Sequence, residues 1–313
     1  MSLYLGVDTS NYTTSLAVVN TEKMIAVQAK KLLPVAEGAL GLRQSDAVFH
    51  HTVQLPQLFG ELSEKCDLSK IDAVGVSETP RSESGSYMPC FLAGISAAVA
   101  FSGANSLRLR RFSHQQGHIA AALFSAGRLD LFKERFIAFH VSGGTTEAVI
   151  VEPDCENICC TQIVASSLDL KAGQAVDRVG VAMGLTFPAG KQLDELACRY
   201  NDSIKVKPVI KGCDCSLSGI ENKCKKMLDD GESKEKTARY CIEYICANLD
   251  AMTDVLLDKY GKIPLVFSGG VMSNSIISKK LGEKYDAIFA KPEFSCDNAV
   301  GTAVLTAIME NDL

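Results

Sequence analysis

The chain has 313 residues, 47% of them hydrophobic and 22% charged, which is enough apolar material for about two folded domains and too much for a disordered chain. A formal charge of -5 excludes an all-over basic surface of the kind that holds nucleic acid by charge alone. The first 20 residues carry no export signal, and the most apolar later stretch, "FLAGISAAVAF" at 91–101, is too short to span a bilayer, so a soluble cytoplasmic protein without membrane contact is expected.

Near the start, "LYLGVDTSNYTTSLAVV" (3–19) reads as an apolar strand, a polar turn and a second apolar strand. "IDAVGVS" (71–77) is a further strand, and "MPCFLAGISAAVAFSG" (88–103) a helix with a largely apolar surface. "RLRRF" (108–112) brings Arg108, Arg110 and Arg111 together, either as a local RNA-facing patch or as a solvated strand end. "GHIAAALFSAG" (117–127) continues as a helix ending at Gly127, and "FIAFHVSGGTTEAVIV" (136–151) is a second strand–turn–strand. A mostly helical block follows from about 172 to 260. Then come a strand "PLVFSGG" led by Pro264, a helix from Ser273, a strand "AIFA" and a terminal helix starting near Asp297.

The two strand–turn–strand segments match when the first is shifted by 132 positions. Ser10, Thr13 and Thr14 then fall on Ser142, Thr145 and Thr146, and Asp8 on His140. Small polar residues match by chance, but the flanking strands match too, which points to duplication. The expected architecture is α/β, with two related sheet-and-helix lobes. One covers 1–110 and is completed by the terminal helix 297–313; the other covers 111–296, with the helical insertion at 172–260. Two such lobes facing each other form a cleft in which turns from both reach one nucleotide. Ser142, Gly143 and Gly144 let backbone N–H groups approach an anion with no Cβ in the way, and Ser268, Gly269 and Gly270 repeat the device. Gly-Gly is also an ordinary turn.

"SHQQGH" (113–118) places His114 and His118 one helical turn apart, the spacing at which two imidazoles share a metal ion. Gln115 stands where a metalloprotease of the H-E-x-x-H type needs its glutamate, so proteolysis by that route is disfavoured. Two histidines seldom hold a metal alone. Asp297 in "SCDNAVGTAV" is a candidate third ligand, or else the N-cap of its own helix. Twelve cysteines lack paired C-x-x-C blocks and read as reduced packing residues, with Cys213 and Cys215 beside Asp214 the pair to check.

Together these motifs resemble the TsaD family, the catalytic subunits of tRNA threonylcarbamoyladenosine synthesis, over nearly the whole chain. "LGVDTS", "SHQQGHIAA", "HVSGG", "GQAVDRVGVAMGLTFPAGKQLDELA", "CSLSGIENKC", "FSGGVMSNSIISKKL" and "SCDNAVGTA" occur in the family's order and spacing. The resemblance implies a duplicated two-lobed fold of the actin, sugar-kinase and Hsp70 superclass. It implies His114, His118 and Asp297 as ligands of one divalent metal, iron or zinc. It also implies that Val141, Ser142, Gly143, Gly144 and Thr145, with Asp177, Gly190, Asp194 and Asn274, hold ATP or an AMP-linked donor, to which the small-residue turn reading adds Gly269 and Gly270. Read without it, Asp177 and Asp194 are solvated helix acids and Asn274 a helix N-cap.

The implied reaction transfers a threonylcarbamoyl group from its mixed anhydride with AMP to N6 of the adenosine beside the tRNA anticodon. The implied partners are tRNA and accessory subunits including a TsaB-like paralogue, and no residue is assigned as catalytic. The chain departs from the family's pattern at Asn11, Tyr12 and Thr13, which replace a cysteine and two acids, at Thr145, which replaces a histidine, and at Gln174, which replaces a glutamate. A divergent member is therefore expected, with two alternatives: a carbamoyltransferase or ATPase with another acceptor, and a non-catalytic nucleotide-binding scaffold. Retention of both histidines speaks against the scaffold.

Overall fold

Strand β1 (Leu3–Asp8) is buried at every position, as is β2 (Thr13–Asn20), its antiparallel neighbour. Uninterrupted burial is what a strand covered on both faces requires. These strands belong to a computed structural model that describes residues 2–10, 12–34, 42–83 and 85–313. β3 (Ile25–Leu32) is largely exposed and pairs with β2; then come α1 (Gln44–Lys65), β4 (Ala73–Thr79), α2 (Phe91–Ala104), β5 (Arg108–Ser113) and α3 (His114–Ala126). The sheet order is β3-β2-β1-β4-β5. As expected, α3 stops at Gly127, which takes the left-handed conformation at φ 68° that glycine adopts without strain.

The chain continues with β6 (Phe136–Val141), β7 (Thr146–Asp154), β8 (Ile158–Ser166), α4 (Ala172–Ala182) and α5 (Gly190–Cys198). A short hairpin of β9 (Ile210–Lys211) and β10 (Asp214–Cys215) precedes α6 (Gly219–Asp229) and the long α7 (Lys234–Tyr260), so the helical block is interrupted by two short strands. β11 (Leu265–Ser268), α8 (Ser275–Tyr285), β12 (Ile288–Phe289) and α9 (Val300–Met309) complete it. The second sheet runs β12-β11-β6-β7-β8, the same order as the first with each strand replaced by its counterpart.

The correspondence extends to register. Leu5 pairs with Val18, and adding 132 to each gives Ile137 and Ile150, which also pair. The repeated threonines fasten each hairpin to the next helix. Thr14 Oγ1 bonds His51 Nδ1 (2.8 Å) and Gln54 Oε1 (2.6 Å) on α1, and Thr146 Oγ1 accepts from Ala172 N (2.9 Å) at the start of α4. The second core is centred on stacked Phe139 and Phe267, 4.6 Å between ring centroids, with α7 residues such as Ile245 and Leu249 against it.

Two compact units result. One comprises residues up to Lys133, Pro153–Cys160 and Cys296–Leu313; the other comprises Glu134–Glu152 and Thr161–Ser295. The first unit therefore runs past the expected boundary at 110 and takes in α3, for a steric reason. A Cβ built on Gly301 of α9 would lie 1.7 Å from the Gly117 carbonyl oxygen, so α3 and α9 touch backbone to backbone in one layer. On its other side α9 lies on the first sheet, where a Cβ on Gly75 would fall 2.0 Å from Thr306 Oγ1.

All twelve cysteines are free thiols, six of them buried. Cys215 packs in the second core, while Asp214 accepts a hydrogen bond from Ser166 N (2.7 Å). Among the described residues no helix is long and apolar enough to cross a membrane.

Because α3 and α9 meet without intervening side chains, Gly301→Ala should destabilise the protein by about 2–3 kcal/mol, as overpacking of a filled interior does. Gly60→Ala, on the exposed side of α1 where a Cβ meets nothing within 4 Å, should be neutral or stabilise by up to about 1 kcal/mol. Urea midpoints of the two variants measure both effects.

Candidate functional site

The start of α3 is set by a capping box. Ser113 Oγ accepts from Gln116 N (3.2 Å) while Gln116 Oε1 accepts from Ser113 N (2.9 Å). Gln116 is held in turn by donating from Nε2 to the carbonyls of Asn157 (3.1 Å) and Cys159 (3.0 Å). His114 and His118 therefore leave a fixed first turn on one face, with ring centroids 4.3 Å apart.

Asp297 meets them from the loop before α9. Its Oδ1 is 3.2 Å from His118 Nε2 and 3.5 Å from His114 Nε2. The candidate ligating atoms of the three residues all lie within 4.8 Å of one another. The capping alternative for Asp297 does not describe this arrangement. The helix begins at Val300 rather than at Asp297, and Asn298 Oδ1 accepts the Val300 N–H (3.0 Å). Asn298 also donates to the Cys296 carbonyl (2.7 Å), which leaves the Asp297 carboxylate turned to the histidines.

One residue of the site was read from the sequence only as a repeat position. Asp8, 1% exposed at the end of β1, sits 2.8 Å from His114 Nδ1 and accepts from Ser10 N (2.8 Å) and Ser77 Oγ (2.6 Å). It fixes the ring so that Nε2 faces Asp297. The pattern S-x-x-Q could have located the cap; nothing local in the sequence signals a contact between residues 8 and 114.

The electrostatics follow from this crowding. Burial alone would push the Asp8 carboxyl up, but the His114 charge and the hydrogen bonds from His114, Ser10 and Ser77 outweigh it and hold the group at about 2. Burial likewise works against the charged form of His114, yet Asp8 and Asp297 lift it to about 10. Asp297 is held well below the usual carboxylate range, its burial overcome by hydrogen bonds from His114 and His118.

The second unit gathers the other predicted residues. Ser142 N donates to the Thr145 carbonyl (2.7 Å) and Thr145 N to Ser142 Oγ (3.2 Å), closing the turn after Val141. Gly143 and Gly144 are exposed, and neither has a positive φ or a neighbour within 4 Å of a built Cβ. Nothing in the fold demands glycine there, and the space above the turn stays open. Gly173 of α4 packs on this turn, its N–H bonded to the Ser142 carbonyl (3.1 Å). Gly269, at φ 99°, lies against Val141, where a Cβ would fall 2.3 Å from the carbonyl oxygen, and Gly270 is exposed beside it.

Asp177 accepts from Ala189 N (2.8 Å), positioning Gly190 at the head of α5, and burial raises its carboxyl. Asp194 accepts from Asn274 Nδ2 (2.8 Å) and Ser275 N (3.2 Å). Asn274 Oδ1 accepts from Ile276 N and Ile277 N (both 3.1 Å), so Asn274 is the N-cap of α8. Neither acid is the freely solvated group of the simpler reading.

The departures are also placed, except Asn11, which lies outside the described residues. Tyr12 is 43% exposed and Thr13 is buried. Gln174 Oε1 accepts from Lys171 N (3.3 Å). Arg108 and Arg110 both pair with Glu310, Arg110 at 2.8 Å, and Arg111 pairs with Glu78 (2.9 Å), so acids offset much of the basic stretch.

Solved structures over the whole chain share this duplicated architecture. Component A of (R)-2-hydroxyglutaryl-CoA dehydratase from Acidaminococcus fermentans aligns with TM-score 0.56 at 14% identity, covering 97% of each chain. A ROK family protein from Streptococcus pneumoniae aligns with TM-score 0.55 at 10% identity, covering 99% of each. The fold is that of the actin-like ATPases and sugar kinases. Within it the chain belongs to the TsaD family, whose model, described as tRNA N6-adenosine threonylcarbamoyltransferase, matches residues 38–304. A transferase of that name from Streptococcus thermophilus is 30% identical, covering 98% of this chain and 92% of its own.

The metal-free protein should show a defined pH dependence of stability. His114, raised from 6.5 to about 10, contributes fully below about pH 6.5 and progressively less as pH rises towards 10. Asp8, lowered from 3.8 to about 2, and Asp297 contribute above about pH 4 and less as pH falls through 2. Urea midpoints of chelator-treated protein should therefore peak between about pH 4 and 6.5; a midpoint that stays level from pH 6.5 to 9 contradicts the assigned coupling.

Proposed function

We propose that this protein is a metal-dependent transferase moving a threonylcarbamoyl group from threonylcarbamoyl-AMP to N6 of the adenosine next to the tRNA anticodon. The observation that carries the metal assignment is the convergence of His114, His118 and Asp297. Two imidazole nitrogens and a carboxylate suit iron or zinc, and their 3.2 and 3.5 Å separations fit neighbouring ligands with bonds of about 2.0–2.2 Å. A divalent ion there supplies a Lewis acid for the transferred carbonyl or a phosphate oxygen.

The chain's own residues bind and orient. Asp8 presents His114 through Nε2, and Asp297 brings the negative charge that balances a cation. In the second unit the turn at Val141–Thr145 offers backbone N–H groups around Gly143 and Gly144, where open space fits a phosphate. Gly269 and Gly270 border it, and Asp177, Gly190, Asp194 and Asn274 frame the nucleoside portion. The incoming amine nitrogen bonds to the carbamoyl carbon, the carbon–oxygen bond to AMP breaks, and AMP leaves while the amine loses a proton. The partners in this reading are tRNA and accessory subunits including a TsaB-like paralogue.

A second reading keeps metal and nucleotide but changes the acceptor. It is favoured by exposed Tyr12 and buried Thr13, which stand where the family carries acids.

Wild-type protein incubated with tRNA, threonine, bicarbonate, ATP and the accessory enzymes should yield the modified adenosine. His118→Ala should lose both metal and product while keeping its circular dichroism. Metal bound by wild type but no modified adenosine at high enzyme concentration shifts the assignment to another acceptor. Asp8→Asn should lower metal affinity about 10–100-fold, measured by competition with a chromophoric chelator.

A further inference from the structure

Three polar side chains form a row across the second sheet. His140 on β6 pairs with Glu147 on β7 in antiparallel register and with Ser268 on β11 in parallel register, so all three project from one face. Glu147 and Ser268 are buried, where polar groups are costly unless bonded. The first unit has the matching row Ser15, Asp8 and Ser77. Asp8 pairs with Ser15 and accepts from Ser77 Oγ. There the central residue reaches out to His114, whereas in the second unit the central residue is itself an imidazole.

The proton positions follow from the acceptors. Ser268 Oγ donates its one proton to the Phe139 carbonyl (3.1 Å). The 3.2 Å contact between Ser268 Oγ and His140 Nδ1 must therefore be made with a proton on Nδ1. This bond joins the ends of β6 and β11 at the point where each strand opens into a glycine turn. Val141–Thr145 follows His140, and Gly269–Gly270 follows Ser268. Gly269 already rests on the Val141 backbone, so the two turns share one geometry.

We propose that His140 is a positioning residue for the bound nucleotide: its Nδ1–H, held by Ser268, sets the spacing of the two glycine turns that receive the phosphates. This rests on the nucleotide assignment made above and adds to it the residue that registers the turns.

The test compares His140→Leu, His140→Asn and Ser268→Ala in the full-length protein, with ATP as the probe in calorimetry. Loss of one intramolecular hydrogen bond should weaken ATP binding about tenfold in His140→Leu and in Ser268→Ala. His140→Asn, whose Nδ2 can donate in place of the ring, should restore affinity to within about threefold of wild type, given the spread of single-bond energies. Bound metal should be unchanged throughout, since His114, His118 and Asp297 lie in the first unit. In turnover the KM for threonylcarbamoyl-AMP should rise more than kcat falls. Wild-type affinity in His140→Leu overturns the proposal, as does equal loss in the Leu and Asn variants. Should His140→Leu fail to fold, Ser268→Ala alone decides. If wild type itself binds no ATP, the nucleotide assignment fails, a result distinct from wild-type binding that His140→Leu leaves untouched.

Discussion

The backbone of α9 touches the backbone of α3 at Gly301 and Gly117, with no side chain between them. That contact decides where the loop before α9 ends up, and so where Asp297 points. Because α3 begins in a tight capping box, the same contact carries the aspartate to within 3.5 Å of both imidazoles. Asp8, arriving at the end of a fully buried strand, then locks one of the rings. Two carboxylates and two imidazoles packed this closely in a water-poor place are tolerable only because opposite charges adjoin. Removing any one partner leaves the others poorly compensated.

The sequence was most legible where periodicity governs structure. Near-continuous apolar runs with β-branched residues mark both hairpins, and the 132-residue shift that aligns Ser10 with Ser142 also aligns their hydrogen-bond registers. Helical spacing suffices to place His114 and His118 side by side. Legibility fails where distant segments decide. Asp8 lies 106 residues from His114, and no local pattern connects them. Asp297 reads from the sequence as a possible cap of the last helix, and only the three-dimensional path shows that the helix starts at Val300, whose N–H donates to Asn298 instead. The lobe boundary was misplaced at 110 because chain order cannot reveal that α3 packs on a helix from the far end of the sequence. Asn274 proved to be both cap and partner: it holds α8 and Asp194 together.

Duplication explains why the site divides as it does. Each unit carries a charged or titratable residue at or next to the end of its first strand, Asp8 or His140, beside a serine on the next parallel strand. In one copy the carboxylate became a support for an imidazole on the following helix. In the other the imidazole stayed within the sheet, beneath two glycine turns. The same backbone register thus supports a candidate cation site in one unit and a candidate anion site in the other, and the two rows differ at Asp8 against His140 and at Ser15 against Glu147.

The proposed cation site draws on the first strand, the middle of the chain and the segment leading into the last helix. Contacts so remote in sequence carry a large loop-closure cost and form late. A growing polypeptide emerging from the ribosome can present the paired imidazoles long before their third companion exists. Loading of an ion at the proposed site would therefore await completion of the first unit, and a chain stalled before Asp297 would display His114 and His118 without the third candidate ligand.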